Sequence, residues 1–403
     1  MSPVLPFDIT SQIIDIVGEN GNESLLKSLA LVSPSFHQIS SKYLFADIEL
    51  YDAKRHIRSS KKGFVKLLNS RPEVIKYIRK LTYHLSEKNF NNADHLVSPI
   101  LSNFLPTISC LNYLRITNIS THTLTMDWNK LDPSLTSGLL HLMHLPTIDH
   151  IDLSFFQNFP LSSLTSSVNL HRLDILCLTH FDPHEEDGSF EIVQSEMAPK
   201  IREFHTSMSF PLTTKLLHIK MQNGGPAFNF TDLRRLSMEF EDTSNLRYIL
   251  QNAELLESLH ISIERGSVGG LFEFHDILSL SASTLKILDL TVFLHMFEDL
   301  CEELEAMAGH NILESLSFEV VIDDLETEDF IGSILQKVEK VVVQPGWSAL
   351  REFSIKVNIS CGSKEFRANL SEALQSLPDK YLSHISKLES VAFNYSVVRQ
   401  YSG

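Results

Sequence analysis

Cysteine is scarce in this chain: four in 403 residues (Cys110, Cys177, Cys301 and Cys361), far apart and with no CxxC pair. That spacing argues against a disulfide-built scaffold and suits reduced thiols in a cytoplasmic or nuclear protein. Positive charge is also in deficit, with 34 Lys and Arg against 50 Asp and Glu and a formal net charge of −16. A surface for nucleic acid or an anionic membrane needs the opposite balance, so neither is expected as the main partner. Long apolar runs are missing too. In the apolar stretch at residues 5–45 the longest run is four residues, Leu29 to Val32, far below the roughly 20 that span a bilayer. That stretch has no basic leading region, carries Asp8 and Asp15 and lacks a small-residue cleavage pattern, so it does not read as a secretion signal. Without that route the six N-x-S/T triplets, at Asn22, Asn118, Asn229, Asn358, Asn369 and Asn394, are expected to be chance matches to a weakly specific pattern.

Catalytic signatures are absent as well. There is no GxGxxG, no GxxxxGK[ST] and no G-x-S-x-G, which removes the commonest phosphate cradles and the hydrolase elbow. The Gly-rich segment GSVGG at 266–270 has no lysine and no strand-to-helix setting, so it reads as a loop. His141 and His144, and His180 and His184, have metal-like spacings, but no Cys or carboxylate set accompanies them. No catalytic residue, metal or cofactor is therefore expected, and the chain does not read as an enzyme.

What is present is ordinary globular material: 43% hydrophobic and 21% charged residues, enough for a sizeable core and long enough for two to three domains. Residues 5–45 predict three short helices. Pro6 suits a first helical position, and Ile9, Ile13, Ile14 and Val17 form an apolar stripe. Gly18 to Asn22 breaks the chain, with Asn22 as N-cap of a helix carrying Leu25, Leu26, Leu29, Ala30 and Val32. Ser33 then caps a third helix with Pro34 at its first position and Phe36, Ile39, Tyr43 and Leu44 on its apolar face. About 40 residues are too few for a self-sufficient core, so this apolar excess is expected to meet a neighbouring domain and another protein.

The succession Leu5-Pro6-x-Asp8-Ile9, Ile13-Ile14, Leu25-Leu26-x-x-Leu29-Ala30-Leu31-Val32-Ser33, Phe36 and Leu44-Phe45 resembles an F-box, in particular the F-box-like proteins abundant in mushroom-forming fungi. Ser33 stands where that family often has Cys, and Phe36 where it often has Trp. The resemblance implies docking on a Skp-type adaptor, and through it on a cullin-RING scaffold, by Leu5, Pro6, Asp8, Ile9, Ile13, Leu29, Val32 and Phe36. Apart from the resemblance, the same helices read as a cap on a non-ligase scaffold protein.

From residue 78 a pattern of apolar, two residues, apolar, one residue, apolar recurs: Ile78-Leu81-Tyr83, Leu111-Leu114-Ile116, Ile148-Ile151-Leu153, Leu173-Leu176-Leu178, Ile201-Phe204-Thr206, Leu233-Leu236-Met238, Leu256-Leu259-Ile261, Leu285-Leu288-Leu290, Leu313-Leu316-Phe318, Leu350-Phe353-Ile355 and Leu388-Val391-Phe393. Each copy predicts a strand with alternate residues inward, and the spacers predict returning helices. Such spacers are 242–251 (Leu246, Ile249, Leu250), 298–309 (Leu300, Leu304, Met307, with Gly309 as C-cap), 329–343 (Phe330, Ile334, Leu335, Val338) and 364–377 (Phe366, Leu370, Leu374, Leu377). Copies start 23 to 38 residues apart, longer than the roughly 20–29 of standard leucine-rich repeats. The expected fold is α/β: an F-box-like helical domain at 1–50, a basic linker at 51–77, and a degenerate leucine-rich-repeat solenoid or horseshoe at 78–403 with a parallel concave sheet.

The protein is thus expected to be the substrate receptor of a cullin-type ubiquitin ligase, with its repeats holding an unidentified target protein. The interval 287–336 contains thirteen acids and no Lys or Arg. Asp323, Asp324, Glu326, Glu328 and Asp329 are read as a rim that takes a basic segment of that target, in competition with a plain solvated face.

Overall fold

A computed structural model describes residues 7–51, 60–85, 101, 103–119, 125–179, 192–193, 197–240, 243–263, 277–322, 328–359 and 364–399. The chain is an α/β protein in which every pairing between named strands is parallel. It divides into two compact units, Met1–Pro199 with His218–Ala227, and Lys200–Leu217 with Phe228–Gly403.

The first unit opens with helices α1 (Phe7–Glu19), α2 (Glu23–Ala30) and α3 (Pro34–Leu44). The caps form where the sequence places them. Leu25 N–H donates to the Asn22 side chain at 3.1 Å, Phe36 N–H donates to Ser33 Oγ at 3.4 Å, and Pro34 fills the first position of α3. Strands β1 (Asp47–Leu50), β2 (Lys80–Leu85), β3 (Tyr113–Asn118), β5 (His150–Gln157) and β6 (Arg172–Thr179) follow in that spatial order, with β4 (Met126–Asp127) beside β5. A separate pair joins β7 (Ile192–Val193) to β9 (Lys220–Met221). In register, Ile48, Leu81, Leu114, Ile151 and Leu173 are neighbours across the sheet. Parallel strands need long crossovers, usually helical. Here α4 (Lys61–Ser70) packs Phe64, Val65 and Leu68, and α5 (Pro133–Met143) packs Leu135, Leu139 and Leu142.

The second unit has β8 (Glu203–Ser207), β10 (Arg235–Phe240), β11 (Ser258–Ile263), β12 (Ile287–Phe293), β13 (Ser315–Ile322), β14 (Glu352–Ile359) and β15 (Ala392–Arg399), also in sequence order. Phe204, Leu236, Leu259, Leu288, Leu316, Phe353 and Phe393 stand at one register level. Of these Leu236, Leu259, Leu288 and Leu316 are buried, as the repeat pattern requires. Helices α6 (Thr243–Asn252), α7 (Phe297–Met307), α8 (Glu328–Val343) and α9 (Lys364–Gln375) occupy the predicted spacers. After α7, Gly309 takes a φ of 82°, the left-handed conformation that a helix C-terminus favours in glycine.

Four local readings change. The fourth repeat is Leu170-x-x-Leu173-x-Ile175, three residues earlier than its sequence match, because Leu173 pairs with Ile151 and Ile175 with Leu153. Cys177 has a φ of 49°, which breaks the in–out alternation and leaves Leu176 half-buried while Leu178 is buried. Phe155, beside it in β5, does the same with a φ of 67°. The last repeat lies two residues later than expected, since Phe353 pairs with Phe393 and Ile355 with Tyr395. A strand not foreseen, β1, falls within residues 1–50, so the sheet begins directly after α3. Phe330 is exposed on α8, and Ile331 takes its place in the core.

Candidate docking surface

The three N-terminal helices share a small core of Ile14, Leu26 and Ile39, with Val17, Leu29, Phe36, Tyr43 and Leu44 packed around it. Tyr43 Oη donates to Asp15 Oδ1 at 2.8 Å, fastening α3 to α1. Burial, then that hydrogen bond and the charge of Asp15, push the Tyr43 phenol from its ordinary value near 10 up to about 12. Gly18 lies flat against the same ring; a Cβ there would sit 2.4 Å from it, so only glycine permits this approach.

That core leaves a second apolar set facing outward. Ile9, Ile13 and Ile16 recur at i, i+4 and i+7 along α1, one helical face, and all three are exposed. Leu25 on α2 is exposed, and the turn after α2 presents Leu31 and Val32 at 87% and 65% exposure. Single exposed apolar residues are normal, whereas several on one small helical unit are the pattern of an interaction site. Of the positions assigned to adaptor docking, Ile9, Ile13 and Val32 lie on this surface and Asp8 is exposed at its start. Leu29 and Phe36 instead pack against the helical core and support the surface from beneath. Leu5 and Pro6 lie outside the described residues. Ile16, Leu25 and Leu31 are additional members. The doublets Ile13-Ile14 and Leu25-Leu26 carried the signal for them, because adjacent residues on a helix point about 100° apart and cannot share one buried face.

Within the acidic interval the described carboxylates have different surroundings. Asp323, Asp324 and Glu326 lie outside the described residues, while Glu328 and Asp329 form the first turn of α8, where carboxylates favour the helix dipole. Glu303 is buried and accepts the Leu278 N–H at 3.2 Å. Glu298 bonds Lys337, which lowers its pKa. Asp289 is half-buried on β12, and burial raises its pKa.

Among the exposed strand residues of each unit, charge is largely self-neutralised. Arg115 pairs with Asp152 at 3.2 Å, Asp174 is reached by His150 at 2.9 Å and Arg172 at 3.1 Å, and Lys356 pairs with Glu319 at 2.9 Å. The Asp152 carboxyl is pushed up by burial, against the pull of Arg115. His144 Nε2–H donates to the Ser163 carbonyl at 2.9 Å, as an ordinary surface histidine does. His180, His184 and the 266–270 loop lie outside the described residues. Among the described residues no three His, Cys, Asp or Glu side chains converge on a metal position, and no helix is long and apolar enough to cross a membrane.

The chain matches no protein-family model, and no curated protein matches it.

Proposed function

We propose that this chain is the substrate receptor of a cullin-type ubiquitin ligase. The N-terminal helices dock a Skp-type adaptor, which links them to a cullin-RING scaffold, and the strand–helix repeats, as a degenerate leucine-rich-repeat solenoid, hold the target. The receptor supplies no reacting group; it contributes proximity and orientation between the target and a ubiquitin-charged enzyme. Such a complex belongs in the cytoplasm or nucleus, where cysteine thiols stay reduced.

One observation carries this reading: Ile9, Ile13, Ile16, Leu25, Leu31 and Val32 are exposed together on a helical unit that already has its own core. A helical cap on a scaffold protein would turn such residues toward its own sheet. The test is capture of a purified Skp-type adaptor by the full-length protein. Wild type binds, and a variant with Ile13, Leu31 and Val32 changed to Ser does not, while both unfold at the same temperature. An adaptor that ignores wild type returns the helices to a scaffold's cap.

A further inference from the structure

The strand order of the second unit ends on β15, and among the described residues no strand pairs with its far side. Phe353, Ile355 and Val357 on β14 are buried, whereas Phe393, Tyr395 and Val397, at the matching positions of β15, are only half-buried. Phe393 stacks on Phe353 with ring centroids 5.7 Å apart, and Tyr395 Oη donates to the Leu374 carbonyl of α9 at 3.0 Å. Ala392, Asn394, Ser396 and Val398 alternate with them and are exposed.

The backbone gives this edge a definite phase. Ala392 N–H donates to the Arg351 carbonyl at 2.7 Å. In a parallel ladder alternate residues of a strand bond the same neighbour, so Ala392, Asn394, Ser396 and Val398 turn their peptide groups toward β14. Phe393, Tyr395 and Val397 turn theirs outward. Sheet edges are commonly blunted by charged side chains, proline or a bulge. From Ala392 to Val398 there is no charged residue and no proline, and all eight residues of β15 pair with β14 without a bulge. By contrast β1, the strand at the start of the order, carries Asp47 and Glu49 within four residues.

We infer that the outer edge of β15 pairs with β15 of a second copy of this chain, antiparallel about a twofold axis at Tyr395. The occupant follows from the phase. Opposed residues of an antiparallel pair share one face of the sheet, and pairs that exchange both hydrogen bonds need peptide groups turned toward each other. A pair centred on Tyr395 meets both conditions. Tyr395 then faces its own copy, Phe393 faces Val397 of the second copy, and every outward N–H and C=O of the three residues finds a partner. On the other face Asn394 stands opposite Ser396 of the second copy, so no charge opposes a charge. The half-buried flanks of Phe393 and Val397 cover one another. The contact is isologous and closes at two chains, without an edge left to propagate a fibre. It goes beyond the receptor reading and does not depend on it.

The test is sedimentation equilibrium of the full-length protein, whose average mass should rise with concentration to twice that of one chain. Asn394→Lys with Ser396→Lys sets like charges opposite each other at both Asn394–Ser396 contacts, and should raise the dissociation constant about tenfold or more. Asn394→Asp with Ser396→Lys sets opposite charges at the same two contacts, and should bring the constant back to within about threefold of wild type. Misfolding cannot imitate that recovery, which also reports the register, because only pairing centred on Tyr395 brings these two positions together. Both side chains are exposed, so neither variant should lose stability as a single chain. A protein that stays monomeric at every concentration leaves the edge to a strand of some other protein and overturns the inference. So does a dimer indifferent to the double lysine change, or a loss that the aspartate–lysine variant does not recover.

Discussion

Leu31 gives the sharpest measure of the docking surface. It is 87% exposed, whereas Leu26, five residues earlier, is 3% exposed in the helical core. Changing leucine to alanine removes two to three methylene equivalents, at about 0.8 kcal/mol each when buried, so roughly 2 kcal/mol depends on where the side chain is buried. At Leu31 folding buries almost none of it, so nearly the whole amount is available to a partner. Leu31→Ala should weaken adaptor binding about 10- to 50-fold, at 1.4 kcal/mol per tenfold. Its unfolding free energy should stay within about 0.5 kcal/mol of wild type, as for other surface substitutions. Leu26→Ala should do the reverse in the first instance, costing about 2–5 kcal/mol of stability. Calorimetric titration with a Skp-type adaptor and urea unfolding followed by circular dichroism measure the two quantities separately. If Leu31→Ala binds within about twofold of wild type, the exposed set is not a docking face, because no other account of the free energy leaves the leucine uncovered in the complex.

Leu288→Ala and Leu316→Ala should each cost about 2–5 kcal/mol in denaturant unfolding; losses below about 1 kcal/mol at both would contradict the register in which they are buried. Gly18→Ala should destabilise the N-terminal helices by roughly 1–3 kcal/mol, the usual cost of overpacking, and adding Tyr43→Ala should relieve part of that loss in a double-mutant cycle. The raised pKa of Tyr43 makes a signed prediction. A group whose folded pKa lies above its unfolded one contributes stability that is complete below the unfolded pKa and lost as pH rises through the folded pKa. Stability should therefore fall between pH 10 and about 12 more steeply in wild type than in Tyr43→Phe, measured as urea midpoints across that range. Parallel curves would remove the phenol from the account.

The strand positions were legible because a buried parallel strand must keep one side apolar, and the L-x-x-L-x-L spacing is that constraint in linear form. Reading it failed where the backbone left the regular pleat. At Cys177 a left-handed residue shifts the alternation, so Leu176 and Leu178 imitate a repeat that the sheet places three residues earlier. Linear order misleads for a related reason along α1, where Ile9, Ile13, Ile14 and Val17 look like one stripe but divide between core and solvent. Acid density in the sequence says little about surroundings, since neighbours such as Glu303 and Glu305 differ: the first is buried and the second exposed.

The uneven length of the repeats follows from how their register is fixed. Equivalent core residues lie 22 positions apart between Ile151 and Leu173 and 40 apart between Phe353 and Phe393, yet in each pair the two residues stand opposite one another in register. Each strand is aligned by the hydrogen bonds of the strand beside it, so the crossover only has to return to the right place. Doubling a flexible connection costs about 0.6 kcal/mol in closure entropy, less than a single buried leucine contributes. Segments can therefore be lengthened, shortened or exchanged between strands without resetting the rest, which lets such a chain acquire new recognition loops while its framework stays fixed.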